Sequence, residues 1–288
     1  MGHQLNQSVK ASVIAHACGL ELLGPDVDVH HISPLNSVVA GGLCFSKNVP
    51  FDAVGGGCVV IAGPGAEMHA PTVLVASRPR LAFAKALDFL ERTTGFQRST
   101  ADPDIDATAV VSPTAVIGKG VRIGAQTIVN HFVVIGEGVQ IGTGCVIKSG
   151  AVIGEDGFGF ERDENGMPLR LVHLGSVLIG NGVEIGSLTT VCRGTLANTV
   201  IDDHAKIDDH VHIAHNCKIG SGAMVIACAE VSGGVVLGRG SWVGPNASII
   251  QQTTVGDGSL IGIGANVLRD VAPGTTVAGN PAKLLLPR

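Results

Sequence analysis

From residue 105 onward, a large aliphatic side chain recurs at every sixth position. Starting at Ile105, the step lands on Val111, Ile117, Ile123, Val129, Ile135, Ile141, Ile147 and Ile153. The register returns at Ile179, Ile185 and Val191, and again from Ile201 through Val267, for twenty-four hexads in all. Glycine often follows the aliphatic, as at Gly118, Gly124, Gly136, Gly180 and Gly220. A period of six fits neither a helix nor an alternating strand. It fits short strands joined by tight turns, with one large aliphatic pointing inward per hexad. Three hexads, about 18 residues, close one triangular coil, so the register predicts about eight stacked coils. Each inward side chain contributes roughly 1.5–3 kcal/mol by burial.

Two breaks interrupt the register. Residues 155–175, "EDGFGFERDENGMPLRLVHLG", are too long for a turn and are expected to project as a loop. Residues 192–199, "CRGTLANT", form a shorter break. Interruptions of a solenoid lie on its surface and often carry function. Residues 1–100 lack the hexad and read as a separate small α/β domain. Val9 to Cys18 and Arg80 to Thr93 predict helices, and "CVVIA" and "TVLVA" predict short buried strands. Residues 101–271 form the coiled domain, including the insertion at 155–175, and 272–288 a C-terminal tail.

Composition sharpens this picture. One tryptophan and no tyrosine, against 41 glycines, require a core of Val, Ile, Leu and Ala. A net charge of −5 with no Lys/Arg run disfavours a nucleic-acid partner. No stretch of 18 apolar residues suggests a membrane span. Seven irregularly spaced cysteines predict buried free thiols in a reducing, cytoplasmic setting.

"DDHVHIAHNC", Asp208 to Cys217, concentrates the candidate chemistry. His204 and His210 each follow a register aliphatic by three residues, on consecutive faces, so their rings diverge. A converging three-histidine metal site is not expected. His215 differs, because one coil further lie Gly233 and Gly234. A histidine beside two residues without side chains has an open groove for a thin substrate arm, with the Gly233 N–H as an oxyanion donor. The alternative is a turn decoration, with Gly-Gly as a tight turn.

The hexad array over 105–271 resembles the hexapeptide-repeat acyltransferases, which implies a left-handed parallel β-helix. "IDDHVHIAHN", "GEDGFGF", "TTVCRGTLANTVI" and "ISPLNSVVAGGLCFSKNVPF" together resemble the UDP-3-O-acyl-glucosamine N-acyltransferases of lipid A biosynthesis. That resemblance implies an N-acyltransferase, with His215 as general base and Asn216 beside it on the substrate. It implies an N-terminal uridine-binding domain with a Phe-x-x-Asn-x-x-Tyr pattern, here Phe45, Asn48 and Phe51. Phe51 lacks the family's hydroxyl. Phe158 and Phe160 match the loop beside the acceptor, where they either touch substrate or pack on the coil. Arg193 matches the family's Asp-Arg-Gly, with Cys192 replacing the acid, and either pairs with phosphate or forms a surface salt bridge.

The departures concern the donor. The family has a second histidine where this chain carries Gln251 and Gln252. The family ends in a helical extension for trimer contacts and carrier docking, which this sequence lacks. "VAGNPAKLLLPR" instead resembles the tail of coenzyme A-dependent hexapeptide acetyltransferases, with Lys283 near the cofactor's phosphates. The leading expectation is transfer of an acyl group, 3-hydroxyacyl by resemblance, from a thioester to a UDP-linked amino sugar. The thioester is carried on acyl carrier protein phosphopantetheine or on coenzyme A, with no resident cofactor, and a homotrimer is implied. An acyl-CoA-dependent N-acyltransferase of surface-polysaccharide synthesis is the alternative. A non-catalytic or zinc-binding β-helix is the reading from another class.

Overall fold

The computed structural model describes residues 2–50, 52 and 54–285. Contacts divide the chain into two units: one runs to Arg98 and includes Gly159–Leu174, and the other holds Ser99–Phe158 and Gly175 onward.

The N-terminal unit is a six-stranded sheet with two helices. Its strands are β1 (His3–Lys10), β2 (Glu21–Leu23), β3 (Asp28–Ile32), β4 (Gly42–Phe45), β5 (Val59–Ala62) and β6 (Thr72–Val75), in the order β1-β3-β4-β5-β6-β2. The inner pairs β3–β4, β4–β5 and β5–β6 are parallel, and the two edge pairs are antiparallel. Parallel strands covered by helices read as continuous apolar runs, which is why "VVIA" and "TVLV" are buried almost throughout. Helix α1 (Ala11–Cys18) ends on Gly19 in the left-handed conformation, φ 66°. Helix α2 (Pro79–Thr93) starts on Pro79 and buries Leu81, Phe83, Leu87 and Leu90.

Residues 155–175 are not a plain loop. Phe160–Arg162 and Pro168–Arg170 pair as an antiparallel hairpin belonging to the N-terminal unit. Asp163 Oδ1 accepts from the N–H groups of Asn165 and Met167, both at 2.8 Å, and Gly166 takes φ 77°. This turn chemistry is legible in "RDENG", but strands of three residues give too little alternation to detect. Arg80–Glu161 at 2.8 Å and Lys85–Glu164 at 2.7 Å fasten the hairpin to α2.

The second unit is the solenoid. Its strands form three sheets of 8, 10 and 8 members, parallel throughout except for the last pair. Each register aliphatic is the final residue of its short strand and stacks on its equivalent one coil away, as Ile123 on Ile141 and Ile213 on Val231. A second inward position lies two residues before each aliphatic and is mostly small or short: Thr127, Cys145, Ala205, Cys217, Ala223, Ala229. Large and small inward side chains thus alternate through a core without aromatic filler. Thr276–Ala278 adds a further parallel strand beside Leu260–Ile261, and Lys283–Leu284 folds back on it.

The corners obey one rule. The residue three past the aliphatic is commonly left-handed: Gly138, Gly144, Gly222 and Gly240, but also His204 (φ 62°), His210 (57°), Asn216 (63°), Cys228 (62°) and Gln252 (63°). A left-handed turn carries its side chain outward. Cys228 is therefore exposed, which corrects the expectation of uniformly buried thiols, while Cys44, Cys58, Cys145, Cys192 and Cys217 are buried. Burial pushes the Cys217 thiol up to about 12 and the half-buried Cys18 to about 11. The expected outcome is one fast equivalent of thiol titration in the folded protein, absent from Cys228→Ser, with the other thiols reacting only after denaturation.

Candidate active site

His204 and His210 turn outward at different corners, and His212 lies on a face, its Nδ1 2.7 Å from Thr190 Oγ1. Among the described residues no group of three His, Cys, Asp or Glu converges on a metal position. His215 is set apart from these. Its ring is half-buried between Gly233, one coil on, and Gly157, which lies in the 155–175 interruption. A Cβ on Gly233 would lie 2.7 Å from Cε1 and 2.8 Å from Nε2, and one on Gly157 would lie 3.0 Å from Cδ2. A side chain on Gly233 would displace the imidazole, and one on Gly157 would crowd it. The Gly234 N–H donates to the His215 carbonyl at 2.8 Å, and the Gly233 carbonyl accepts from the Gln252 N–H at 2.9 Å. The coil is thereby pinned on both sides of Gly233.

Hydrogen bonding fixes which ring nitrogen is basic. Asn216 Oδ1 accepts from the Thr195 N–H at 3.1 Å, and Asn216 Nδ2 donates to the Ala197 carbonyl at 3.0 Å. These two backbone partners settle the orientation of the amide. His215 Nδ1 lies 3.0 Å from the same Oδ1. An amide oxygen only accepts, so Nδ1 carries the proton and the lone pair of the neutral ring resides on Nε2, the nitrogen facing Gly233.

Strand register extends the site into a column. Ile213 pairs with Val231, Val231 with Ile249, and Ile249 with Val267. His215, Gly233, Gln251 and Arg269 each stand two residues past those positions, one coil apart. Gln251 and Arg269 are exposed. Arg269 was missed by the sequence reading, although counting 18 past Gln251 finds it. Arg193 stands two past Val191, one coil on the other side of His215. Its Nη2 donates to the Glu137 carbonyl at 2.7 Å, and its buried Nε has no hydrogen-bond partner. Phe158 follows Gly157 directly and is 88% exposed.

The remaining candidates belong to other elements. Phe160 opens the hairpin, with the Arg170 guanidinium 4.8 Å above its ring. In the N-terminal unit, half-buried Phe45 stacks one face on Phe83 at 4.7 Å. Asn48 is exposed, and its carbonyl accepts from Ser46 Oγ at 2.8 Å. Phe51 lies outside the described residues. Lys283 is exposed and lines, with Leu268, Arg269 and Val271, a groove of about 540 Å³.

Comparison with known proteins decides the family. The chain is 37% identical over 263 residues to the UDP-3-O-acylglucosamine N-acyltransferase of Delftia acidovorans, covering 84% of this chain and 77% of that protein. The chain belongs to the UDP-3-O-acylglucosamine N-acyltransferase family. The enzyme of that name from Cupriavidus pinatubonensis is 33% identical over 262 residues, covering 77% of this chain and 72% of its own. Among solved structures, the UDP-N-acetylglucosamine O-acyltransferase of Moraxella catarrhalis superposes with a TM-score of 0.54 at 28% identity, covering 64% of this chain and 72% of that one. No family model matches the chain. Membership makes the chain an N-acyltransferase of the kind used in lipid A biosynthesis, and the coils are the left-handed β-helix of these enzymes. Among the described residues no helix is long and apolar enough to cross a membrane.

Proposed function

We propose that the protein transfers a 3-hydroxyacyl group from a phosphopantetheine thioester to the amine of a UDP-linked 3-O-acylglucosamine, with His215 Nε2 as general base. The observation that carries this reading is the His215 ring, slotted between Gly157 and Gly233 with Nδ1 held by Asn216. The amine attacks the thioester carbonyl as its proton passes to Nε2. The tetrahedral oxyanion takes the Gly233 N–H as its backbone donor. The C–S bond then breaks, and the imidazolium returns the proton to the leaving sulfur. Nothing beyond acid–base help, one donor and alignment is required.

The column supplies the donor track. Rungs of a β-sheet are about 4.8 Å apart, so Arg269 stands about 14 Å from His215. That is on the scale of an extended pantetheine arm, and Arg269 provides a cation where its phosphate ends. Uracil recognition falls to the N-terminal unit. The face of Phe45 not taken by Phe83 suits stacking, and the Asn48 amide suits pairing with the base edge.

The test is product mass from UDP-3-O-acylglucosamine with hydroxyacyl carrier protein, hydroxyacyl-CoA or acetyl-CoA as donor. An N-hydroxyacyl product from the carrier protein is expected, and activity from acetyl-CoA alone would refute the proposal. Arg269→Ala is expected to raise the donor KM about tenfold, the loss of one charge-assisted contact, while the acceptor KM stays unchanged.

A further inference from the structure

The interruption at 192–199 makes this coil longer than the next: Val191 to Ile213 spans 22 residues, and Ile213 to Val231 spans 18. The extra residues close around one side chain. Thr195 gives Asn216 Oδ1 both its N–H at 3.1 Å and its hydroxyl at 2.9 Å. Ala197 accepts from Asn216 Nδ2 at 3.0 Å, and Thr199 Oγ1 accepts from the Asn216 N–H at 2.9 Å. Gly194 is required by this packing, because a Cβ there would lie 1.6 Å from the Ala197 carbonyl oxygen. The equivalent corner one coil on, Gly234, has no side chain to hold.

We propose that the 192–199 insertion is a tautomer clamp, in which Thr195 and Asn216 are positioning residues that hold the proton of neutral His215 on Nδ1. This rests on the reading of His215 as the base. An unrestrained neutral imidazole exchanges between its two tautomers. In the Nε2–H form the lone pair would sit on Nδ1, against Asn216, and could not take a proton from an amine on the Gly233 side. The clamp keeps every neutral enzyme molecule in the competent form. It also explains why asparagine occupies this left-handed corner. The residue must tolerate φ 63° and present an acceptor, and glycine meets only the first need.

The test is long-range proton–nitrogen NMR of the full-length enzyme labelled with 15N-histidine, at alkaline pH, with His215 assigned from its absence in His215→Ala. The wild type is expected to show protonated Nδ1. Asn216→Gly, which suits the corner and removes the amide, is expected to show mixed tautomers and a kcat lower by on the order of 10²-fold, with KM for both substrates unchanged. Thr195→Val is expected to show a smaller shift in the same direction and a kcat about fivefold lower. Thr195→Ser is expected to restore both. A proton on Nε2 in the wild type would overturn the clamp. So would a wild-type tautomer in Asn216→Gly, whatever its kcat. Should His215→Ala retain turnover, the base assignment fails, and the spectrum still reports on the clamp.

Discussion

His215→Ala is expected to lose 10²–10⁴-fold in kcat, the range for removal of a general base, while its melting temperature stays close to wild type. The stability half of this expectation follows from where the ring sits. The inward ladder consists of the aliphatics and the small residues two positions before them, and His215 belongs to neither set. Its backbone contribution, the carbonyl that accepts from the Gly234 N–H, is kept by alanine. The catalytic half follows from the slot. Alanine opens the space between Gly157 and Gly233 and offers no acceptor for the amine proton. Single-turnover measurements with saturating acyl carrier protein, paired with calorimetry, check both halves. Near-normal turnover would remove His215 from the mechanism, and a collapsed melting temperature would make the loss uninformative about chemistry.

Gly233→Ala is expected to lose about 10²-fold in kcat with the β-helix intact. Gly233 is not left-handed, so alanine meets no backbone strain there. The obstacle is the ring, since the new methyl would lie 2.7–2.8 Å from Cε1 and Nε2 of His215. Either the imidazole tilts away or the coil shifts, and a displacement near 1 Å costs a reacting pair about that factor. Gly157→Ala presses on the opposite edge at 3.0–3.2 Å, and a milder loss is expected. Equal losses from the two variants, or none from Gly233→Ala, would contradict the slot. Steady-state kinetics with both substrates varied, and circular dichroism to confirm the coil, separate these outcomes.

The coils were legible in the sequence because one position in six decides them. The second inward position was not. It accepts Thr, Cys, Ala, Val and Ser, and its only common property is shortness. The corner rule was hidden for a related reason. Glycine announces a left-handed turn, but His204, His210, Cys228 and Gln252 take the same conformation without declaring it. The importance of His215 could be read from the glycine pair one coil on. The matching contribution of Gly157 could not, because Gly157 lies inside the first break and no register count reaches His215 from there. Arg193 was expected to meet phosphate or a surface acid. Its Nη2 donates to the Glu137 carbonyl, a contact 56 residues away that no local pattern encodes. The hairpin at 160–170 is not legible in the hexad, because its partner, α2, lies in the preceding part of the sequence.

The stacking of the register column has a consequence for how such an enzyme can change. Interstrand hydrogen bonds lock neighbouring rungs about 4.8 Å apart, and no side-chain substitution stretches that spacing. The reach between imidazole and guanidinium can therefore be altered only by inserting or deleting an entire lap of the prism. Donor arms of different length would be matched in whole steps, as on a ratchet, and intermediate lengths would find no fitting tooth.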